Sequence, residues 1–194
     1  VAEAAGAWFV GSHPMAGSER TGFEAARADL FEGAVCAVTP TDRTHGPARE
    51  EIEALWAAVG SEVLTLSPVQ HDELVGRSSH LPHVVAAGLA SYVLSPAHAP
   101  VQAMLCASGF RDTTRIAGGA PEMWRDIALA NGTHLARALG VLMADLREFQ
   151  QALEERDAAA VEEFFRKARA RRESWLAGGR SGQGESSPSS SAAA

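Results

Sequence analysis

The chain has 194 residues, of which 46% are apolar, and a formal net charge of −7. This size and apolar content predict a globular protein of one ordinary domain plus a fragment, or of two small domains. The acidic balance argues against a nucleic-acid partner, because neutralising phosphates requires a basic face. No apolar run has the length needed to cross a bilayer, and no signal peptide opens the chain, so we expect no membrane partner and a cytoplasmic location.

Residues 1–67 are predicted to be the closing part of an α/β unit. Short apolar runs of strand type occur at 8–10, 34–39 and 62–66. Between the last two, apolar residues recur at helical spacing and a glycine that tolerates a left-handed stop follows them: Ile52, Leu55, Trp56, Val59 and then Gly60. Because Val1 is not an initiator Met and a strand pattern follows so soon, we expect the true start to lie upstream.

Residues 68–176 are predicted to form a helical domain, which makes the chain α+β overall. Ser67, Pro68 and Gln70 form a helix-start signature, so we place the domain boundary after 67. Breaks are expected at 95–96, 108–109, 118–119 and 157. The segment 84–94 is apolar on nearly every face and predicts a buried helix.

A long helix is predicted from Pro121 onward. Its apolar stripe, which runs from Ile127 to Leu153, is wide enough to pack on a second copy, so a dimer interface is expected. After the helices, the tail 177–194 is rich in Gly, Ser and Ala and predicts disorder.

The first candidate for chemistry is His13, which follows the strand predicted at 8–10. Ligands usually bind at the carboxyl ends of strands in an α/β sheet, and imidazole exchanges protons near neutral pH. The alternative is a histidine that only bonds a backbone carbonyl in a turn.

A second group contains His71, Asp72, His80 and His83. These residue types bind zinc, but Pro82 interrupts the helical face that would align them, so no metal site is predicted. Buried structural histidines are the simpler alternative. The cysteines, Cys36 and Cys106, lack CxxC spacing and are expected to stay reduced.

The third group lies around Arg115. Asp112 is predicted to cap a helix and to hold Arg115, whose guanidinium would bind a carboxylate. An Asp–Arg pair that merely orders the loop is the alternative. Neither GxGxxG nor GxxxxGK[ST] occurs in the sequence, so the cofactor-binding residues are unknown.

In this order, the motifs resemble the prephenate dehydrogenase family of tyrosine biosynthesis. The matching stretches include Phe9-Val10-Gly11-Ser12-His13-Pro14-Met15-Ala16-Gly17-Ser18-Glu19, His71-Asp72, Ser79-His80-Leu81-Pro82-His83, Gly109-Phe110-Arg111-Asp112-Thr113-Thr114-Arg115 and Pro121-Glu122-Met123-Trp124-Arg125-Asp126. The resemblance implies an N-terminal Rossmann domain for NAD or NADP and a C-terminal helical domain that forms a homodimer. It also implies oxidative decarboxylation of prephenate to 4-hydroxyphenylpyruvate.

The resemblance implies a role for individual residues. His13 would be the catalytic group that takes the proton of the ring hydroxyl, and Arg115 would bind a substrate carboxylate. The other residues implied to contact the substrate are His80, His83, Asp112, Trp124 and the Ser108-Gly109 loop. The resemblance implies that this loop can come from a partner subunit. Without the cofactor loop, the chain is not expected to turn over by itself.

Two other functions remain open at this point. Arogenate, the amino analogue, would replace prephenate as the substrate, or the chain would be a non-catalytic helical dimerisation module. The sequence does not distinguish NAD from NADP and does not predict feedback by tyrosine.

Overall fold

The computed structural model describes residues 7–17 and 22–179. Within these residues, three short strands form one sheet in the order β1 (Ser12–Pro14), β2 (Val35–Val38), β3 (Glu62–Thr65). β1 is antiparallel to β2, whereas β2 and β3 are parallel. From Pro68 onward every regular element in the described part is helical. The predicted class, the end of a Rossmann-type unit followed by helices, is confirmed.

The central strand, β2, holds the most buried residues of the sheet: Cys36, Ala37 and Val38. Helix α1 (Gly46–Ala58) makes the crossover from β2 to the parallel β3, as a helix of this type commonly does. The helix begins at His45, whose Nδ1 accepts a hydrogen bond from the Ala48 N–H. Beyond its end, Gly60 has a φ of 86°, which is the left-handed stop expected from the sequence.

The first strand begins at Ser12, not at Trp8 as predicted. The Trp8 ring is stacked on the His45 ring at a centroid distance of 4.2 Å, and both Trp8 and Phe9 are exposed instead of pairing with β2. His13 therefore lies inside β1, opposite Ala37, and not after the end of a strand. Pro14 is tolerated there because β1 is an edge strand.

Helix α2 (Pro68–Val75) begins with the capping box that the sequence predicts. The Ser67 hydroxyl oxygen accepts from the Gln70 N–H at 3.2 Å, and the Gln70 side-chain oxygen accepts from the Ser67 N–H at 3.0 Å. A π-helical turn (Gly76–His80) then leads into α3 (Leu81–Val93). Pro82 favours this irregular turn, because it has no N–H for the carbonyl four residues before it.

Two short helices follow α3. They are α4 (Val101–Met104) and α5 (Ser108–Thr114), followed by a 3-10 turn (Arg115–Gly118). The predicted break at 108–109 is wrong, because α5 begins there. The predicted burial of 84–94 is also wrong: Val85, Tyr92 and Leu94 are exposed and only Ala86 of α3 is buried.

The predicted long helix is two helices, α6 (Pro121–Ala130) and α7 (Gly132–Glu154), which are bent by 93°. Asn131 separates them with non-helical φ and ψ of −107° and 27°. At the bend, the buried Asn131 side chain donates to the Asp72 carbonyl at 2.7 Å, 59 positions away in the sequence. Among the described helices, none alone is long and apolar enough to cross a membrane, and only this bent pair matches by length and composition.

By its contacts the chain divides into two compact units, Val1–Leu142 and Met143–Ala194. The second contains the end of α7 and helix α8 (Ala158–Gly179), and its aromatic contacts join Phe149 to Phe164 and Phe165. α8 includes the first three positions of the predicted tail, and the rest, 180–194, lies outside the described residues. The domain boundary after 67 stays a prediction.

Candidate active site

Hydrogen bonds link His13, His71 and Asp72 in a row. His13 Nδ1 lies 2.9 Å from His71 Nε2, and His71 Nδ1 lies 2.9 Å from Asp72 Oδ1. The two imidazole rings meet edge to face with their centroids 5.2 Å apart. The His71 side chain, in the middle of the row, is 16% exposed, whereas that of Asp72 is 52% exposed and His13 is exposed as well. The row joins β1 to α2.

The surroundings of His13 and His80 favour the uncharged form of these two rings. Burial lowers the pKa of His13 below the usual histidine value, and positive charge on His71 lowers it further. The pKa of His80 is lowered by burial first and then by positive charge on three neighbouring histidines, while Asp72 opposes the shift. A neutral imidazole is the form that accepts a proton, so both shifts keep proton acceptors available in mild acid.

Hydrogen bonds also fix the tautomers of His80 and His83. The Asn131 amide nitrogen donates to the Asp72 carbonyl, so the same NH₂ group faces His80 Nδ1 at 3.2 Å and makes that atom an acceptor. The proton of neutral His80 is then on Nε2. In contrast, His83 Nδ1 lies 2.9 Å from the Ser79 carbonyl, which only accepts, so His83 Nδ1 donates and its Nε2 has a free lone pair.

A cavity of about 220 Å³ lies beside these histidines. Its lining is mostly apolar and comprises His80, His83, Val84, Ala87, Ile116, Ala117, Gly119, Pro121, Trp124, Ile127, Ala128 and Leu135. The Trp124 ring is stacked on the His83 ring at 3.7 Å and meets the His80 ring edge to face. Apolar walls with a few polar groups are typical of a small-molecule site.

Gly119 allows the indole of Trp124 to stand where it does. A Cβ atom at position 119 would lie 2.3 Å from Trp124 Nε1, whereas one at Gly118 would meet nothing within 4 Å. Only the absence of a side chain at 119 is compatible with this ring position. The cavity wall therefore depends on one glycine of the Gly118-Gly119 pair.

The other predicted residues do not line this cavity. Arg115 is exposed and begins the 3-10 turn whose next two residues, Ile116 and Ala117, do line it. Asp112 is exposed and lies inside α5, so the prediction that it caps a helix is wrong. Ser108 and Gly109 form the exposed first turn of α5. Ser18, Glu19 and Thr21, which follow His13 in the motif, lie outside the described residues.

The arrangement is suited to proton transfer at a small ring. The lowered pKa values of His13 and His80 favour proton acceptance, and the cavity offers apolar walls to a ring. No three described His, Cys, Asp or Glu side chains are arranged as a metal site, so the alternative at His71, Asp72, His80 and His83 has no geometric support.

Three residues of this region were not assigned a role from the sequence. His71 entered only as a possible metal ligand, and the signal for its actual contact is weak, because its partner is 58 positions away. Asn131 lies within a continuous apolar stripe that predicts one helix, although an Asn-Gly pair is a common break in a helical pattern. Gly119 was interpreted only as part of a break.

Two family models match the chain. The model described as "Prephenate dehydrogenase, nucleotide-binding domain" matches residues 2–65, and that described as "Prephenate dehydrogenase, dimerization domain" matches residues 67–167. A prephenate dehydrogenase of Bacillus subtilis is 35% identical over 162 residues, which cover 83% of this chain but 44% of that protein.

Solved structures give the same result. A prephenate dehydrogenase from Aquifex aeolicus, in complex with hydroxyphenyl propionate and NAD+, is 34% identical with a TM-score of 0.77 over 85% of this chain and 58% of its own. An arogenate dehydrogenase from Synechocystis is 26% identical with a TM-score of 0.74 over 86% of this chain and 61% of its own. The chain thus spans about half of the curated relatives that it matches.

Proposed function

This chain belongs to the prephenate dehydrogenase family, and from that premise we propose that the complete protein carries out the NAD(P)-dependent oxidative decarboxylation of prephenate to 4-hydroxyphenylpyruvate. The observation that carries the proposal is the ring-sized apolar cavity bordered by His80, His83 and Trp124, beside the hydrogen-bonded row that begins at His13. The named relatives support the same activity.

His13 is the proposed proton acceptor. A ring hydroxyl that hydrogen-bonds to its imidazole would pass its proton there while the hydrogen on the same carbon leaves with its electron pair. The lowered pKa of His13 suits this role, because the ring remains neutral at pH values where an ordinary histidine is partly charged. Loss of CO2 then makes the ring aromatic, which drives the reaction.

NAD or NADP, when bound, would accept the hydride. The described residues contain no glycine-rich turn between a strand and a helix of the kind that cradles a pyrophosphate, and GxGxxG is not in the sequence. No residue of this chain is therefore assigned to the cofactor. The proposed contribution of these residues is to bind and orient the substrate and to take its proton.

Arg115 is the proposed partner of a substrate carboxylate, since a dianionic ligand favours a fixed guanidinium. Its place at the start of the 3-10 turn puts it next in sequence to two cavity-lining residues. His80, His83 and Trp124 are proposed to contact the ring. Asp112, Ser108 and Gly109 are proposed to contact substrate from the exposed face of α5, which is also where a partner subunit would contribute.

We propose a homodimer formed through the helical region. Large apolar side chains are exposed along the helices after β3, including Tyr92, Leu94, Val101, Met104 and Leu105. Soluble monomers rarely expose such a concentration of apolar surface. Size-exclusion chromatography with light scattering measures this directly, and a monomer at micromolar concentration would contradict it. A cytoplasmic location stays a prediction.

Arogenate is the alternative substrate, and the arogenate dehydrogenase among the structural relatives favours keeping it. The complete protein should be incubated with prephenate or arogenate and with NAD+ or NADP+, following the absorbance of the reduced nicotinamide and identifying the product by mass spectrometry. We expect 4-hydroxyphenylpyruvate from prephenate. Tyrosine from arogenate as the faster reaction would replace the substrate assignment.

A non-catalytic dimerisation module is the remaining alternative. It is separated by calorimetry of prephenate binding to the dimer. Measurable binding that is lost in Arg115→Gln supports the enzyme, whereas a dimer with no affinity for prephenate supports the module.

A further inference from the structure

We infer that His71 is a positioning residue that holds His13 in the tautomer with its proton on Nδ1, so that His13 Nε2 is left as the proton acceptor. This inference rests on the proposed function and names the atom at which the proton is accepted. It uses the row of contacts from Asp72 through His71 to His13, each at 2.9 Å.

The tautomers follow from the outer end of the row. An ionised carboxylate only accepts hydrogen bonds, so Asp72 Oδ1 requires the proton of neutral His71 to be on Nδ1. His71 Nε2 then has a lone pair and accepts. The atom facing it, His13 Nδ1, must donate, and neutral His13 keeps no proton on Nε2.

The same row stabilises the product of proton transfer. When the substrate O–H bond breaks and an N–H bond forms at His13 Nε2, the ring becomes a cation whose Nδ1–H already donates to His71. His71 in turn donates to the Asp72 carboxylate, so no further proton has to move. The positive charge is spread towards a negative group that is fixed before the reaction begins.

The expected size of the effect is moderate. Half of the Asp72 side chain is exposed, which weakens its influence compared with a buried carboxylate. Residues that orient a reacting group from behind it typically change activity by about 10- to 100-fold when removed. We expect a loss in that range without His71.

A doubly protonated His71 would put the proton of His13 on the other ring nitrogen. If His71 were protonated on both nitrogens, it would donate to His13 Nδ1, and the proton of neutral His13 would be on Nε2, where it blocks the acceptor. Among the described residues, the polar contacts of the His71 ring are the His13 ring and the Asp72 carboxylate. The position of the proton on His13 therefore distinguishes the two arrangements.

The first test determines the tautomers of His13 and His71 by NMR and does not require catalysis. The 194-residue chain is labelled with ¹⁵N-histidine, and two-bond ¹H–¹⁵N correlation spectra are recorded well above the usual histidine pKa. We expect both His13 and His71 in the Nδ1–H form. In His71→Leu, which has no acceptor, His13 should become a mixture of tautomers.

The control is His98→Leu, since His98 lies outside the row and its Nδ1 faces the Val93 carbonyl at 3.5 Å. This variant should leave the His13 signals unchanged. Wild-type His13 in the Nε2–H form, or a His13 tautomer that does not respond to His71→Leu, would overturn the inference.

The second test measures, in the complete enzyme, whether a hydrogen-bond acceptor at position 71 restores kcat. His71→Leu should lower kcat by about 10- to 100-fold with little change in KM. His71→Gln offers a side-chain oxygen that accepts from His13 Nδ1–H, and it should recover most of the loss. Equal losses in both variants, or losses that follow thermal stability, would show a merely structural role and overturn the inference.

The two tests separate this inference from the proposed function. If the wild-type protein turns over neither prephenate nor arogenate, the proposed function fails, yet the tautomer spectra still decide whether His71 controls His13. If turnover is normal and His13 has its proton on Nε2, only the inference about His71 fails.

Discussion

The histidine side of the candidate site and the α5 side differ in how completely the chain itself holds them. His13, His71, His80 and His83 each make a hydrogen bond that fixes the ring, to another side chain or to a carbonyl. Asp112, Ser108 and Gly109 lie on the exposed surface of α5. One half of the proposed site is organised before substrate arrives, whereas the other half faces solvent.

This difference suggests a division of labour. Groups that move a proton need a fixed tautomer and a fixed distance, because the transfer occurs over one hydrogen bond. Groups that attract a dianion act through charge, which also operates from an exposed and hydrated position. The histidine side would then determine the rate of the chemical step. The α5 side, together with Arg115 directly after it, would determine the affinity for the substrate.

The largest predicted effect separates the two sides by their kinetics. In the complete enzyme, His13→Asn should lower kcat by about 10²- to 10⁴-fold with little change in KM, because it removes the proton acceptor. Arg115→Gln should mainly raise KM, because it removes attraction that substrate and transition state share. Steady-state kinetics with prephenate measures both.

Small and equal changes in kcat and KM from the two substitutions would contradict the separate roles of His13 and Arg115. Circular dichroism spectra of the variants serve as the control, since both residues are exposed enough that neither change should unfold the chain. A His13→Asn enzyme with normal kcat would remove His13 as the base.

The cavity lined by His80, His83 and Trp124 offers a smaller effect with a matched control. Gly119→Ala forces the Trp124 indole to move, which breaks its stacking on His83, whereas Gly118→Ala has open space for its methyl group. An aromatic contact of this kind is worth about 0.5–1.5 kcal/mol, so prephenate affinity should fall by about 2- to 10-fold for Gly119→Ala alone.

Calorimetry on the complete protein measures this affinity, and the emission of Trp124 should shift in the same variant. Equal affinities in the two alanine variants would mean that the indole does not form the ligand-facing wall.

The pH dependence of stability tests the histidine side by itself. The pKa values of His13 and His80 are lowered in the folded chain, so the unfolded chain binds protons first as pH falls. Their contribution to stability is therefore complete above the usual value of about 6.5 and is lost as pH falls through the lower folded values.

Urea unfolding between neutral pH and mild acid should show this loss, and His13→Gln should make the profile flatter. A wild-type profile that is flat across this window would contradict the lowered pKa values of His13 and His80. The same shift predicts that the acid limb of the enzyme's kcat/KM profile lies below the range of an ordinary histidine.

The sequence predicted those parts of the fold that depend on local signals. The capping box at Ser67 and Gln70, the left-handed stop at Gly60 and the crossover helix α1 were all predicted from neighbours in the chain, and all are confirmed. The cavity-lining positions of His80, His83 and Trp124 were reached through family resemblance, and their roles stay predictions.

The errors arose where a distant residue decides the conformation. The apolar stripe after Pro121 continues past 131, so periodicity predicts one helix, but α6 ends at Asn131, which precedes a glycine and whose side chain donates to the Asp72 carbonyl. The aromatic residues at 8–9 suggest a strand, but stacking of Trp8 on His45 holds them outside the sheet. The His13–His71 contact likewise spans 58 positions, and no local pattern predicts it.

The smallest predicted effect concerns the N-terminal caps of the two helices that carry the two sides of the site. Helix α2, which carries His71 and Asp72, begins with the Ser67 capping box, whereas α5 begins after Ala107 with no side-chain cap. Ser67→Ala should cost about 1 kcal/mol of unfolding free energy, because one N–H loses its acceptor and the Gln70 bond loses its reciprocal partner. Ser108→Ala should cost less, since no cap depends on that hydroxyl. Urea titrations of the two variants measure the difference, and equal costs would mean that the histidine side is no better anchored than the side that contains Arg115.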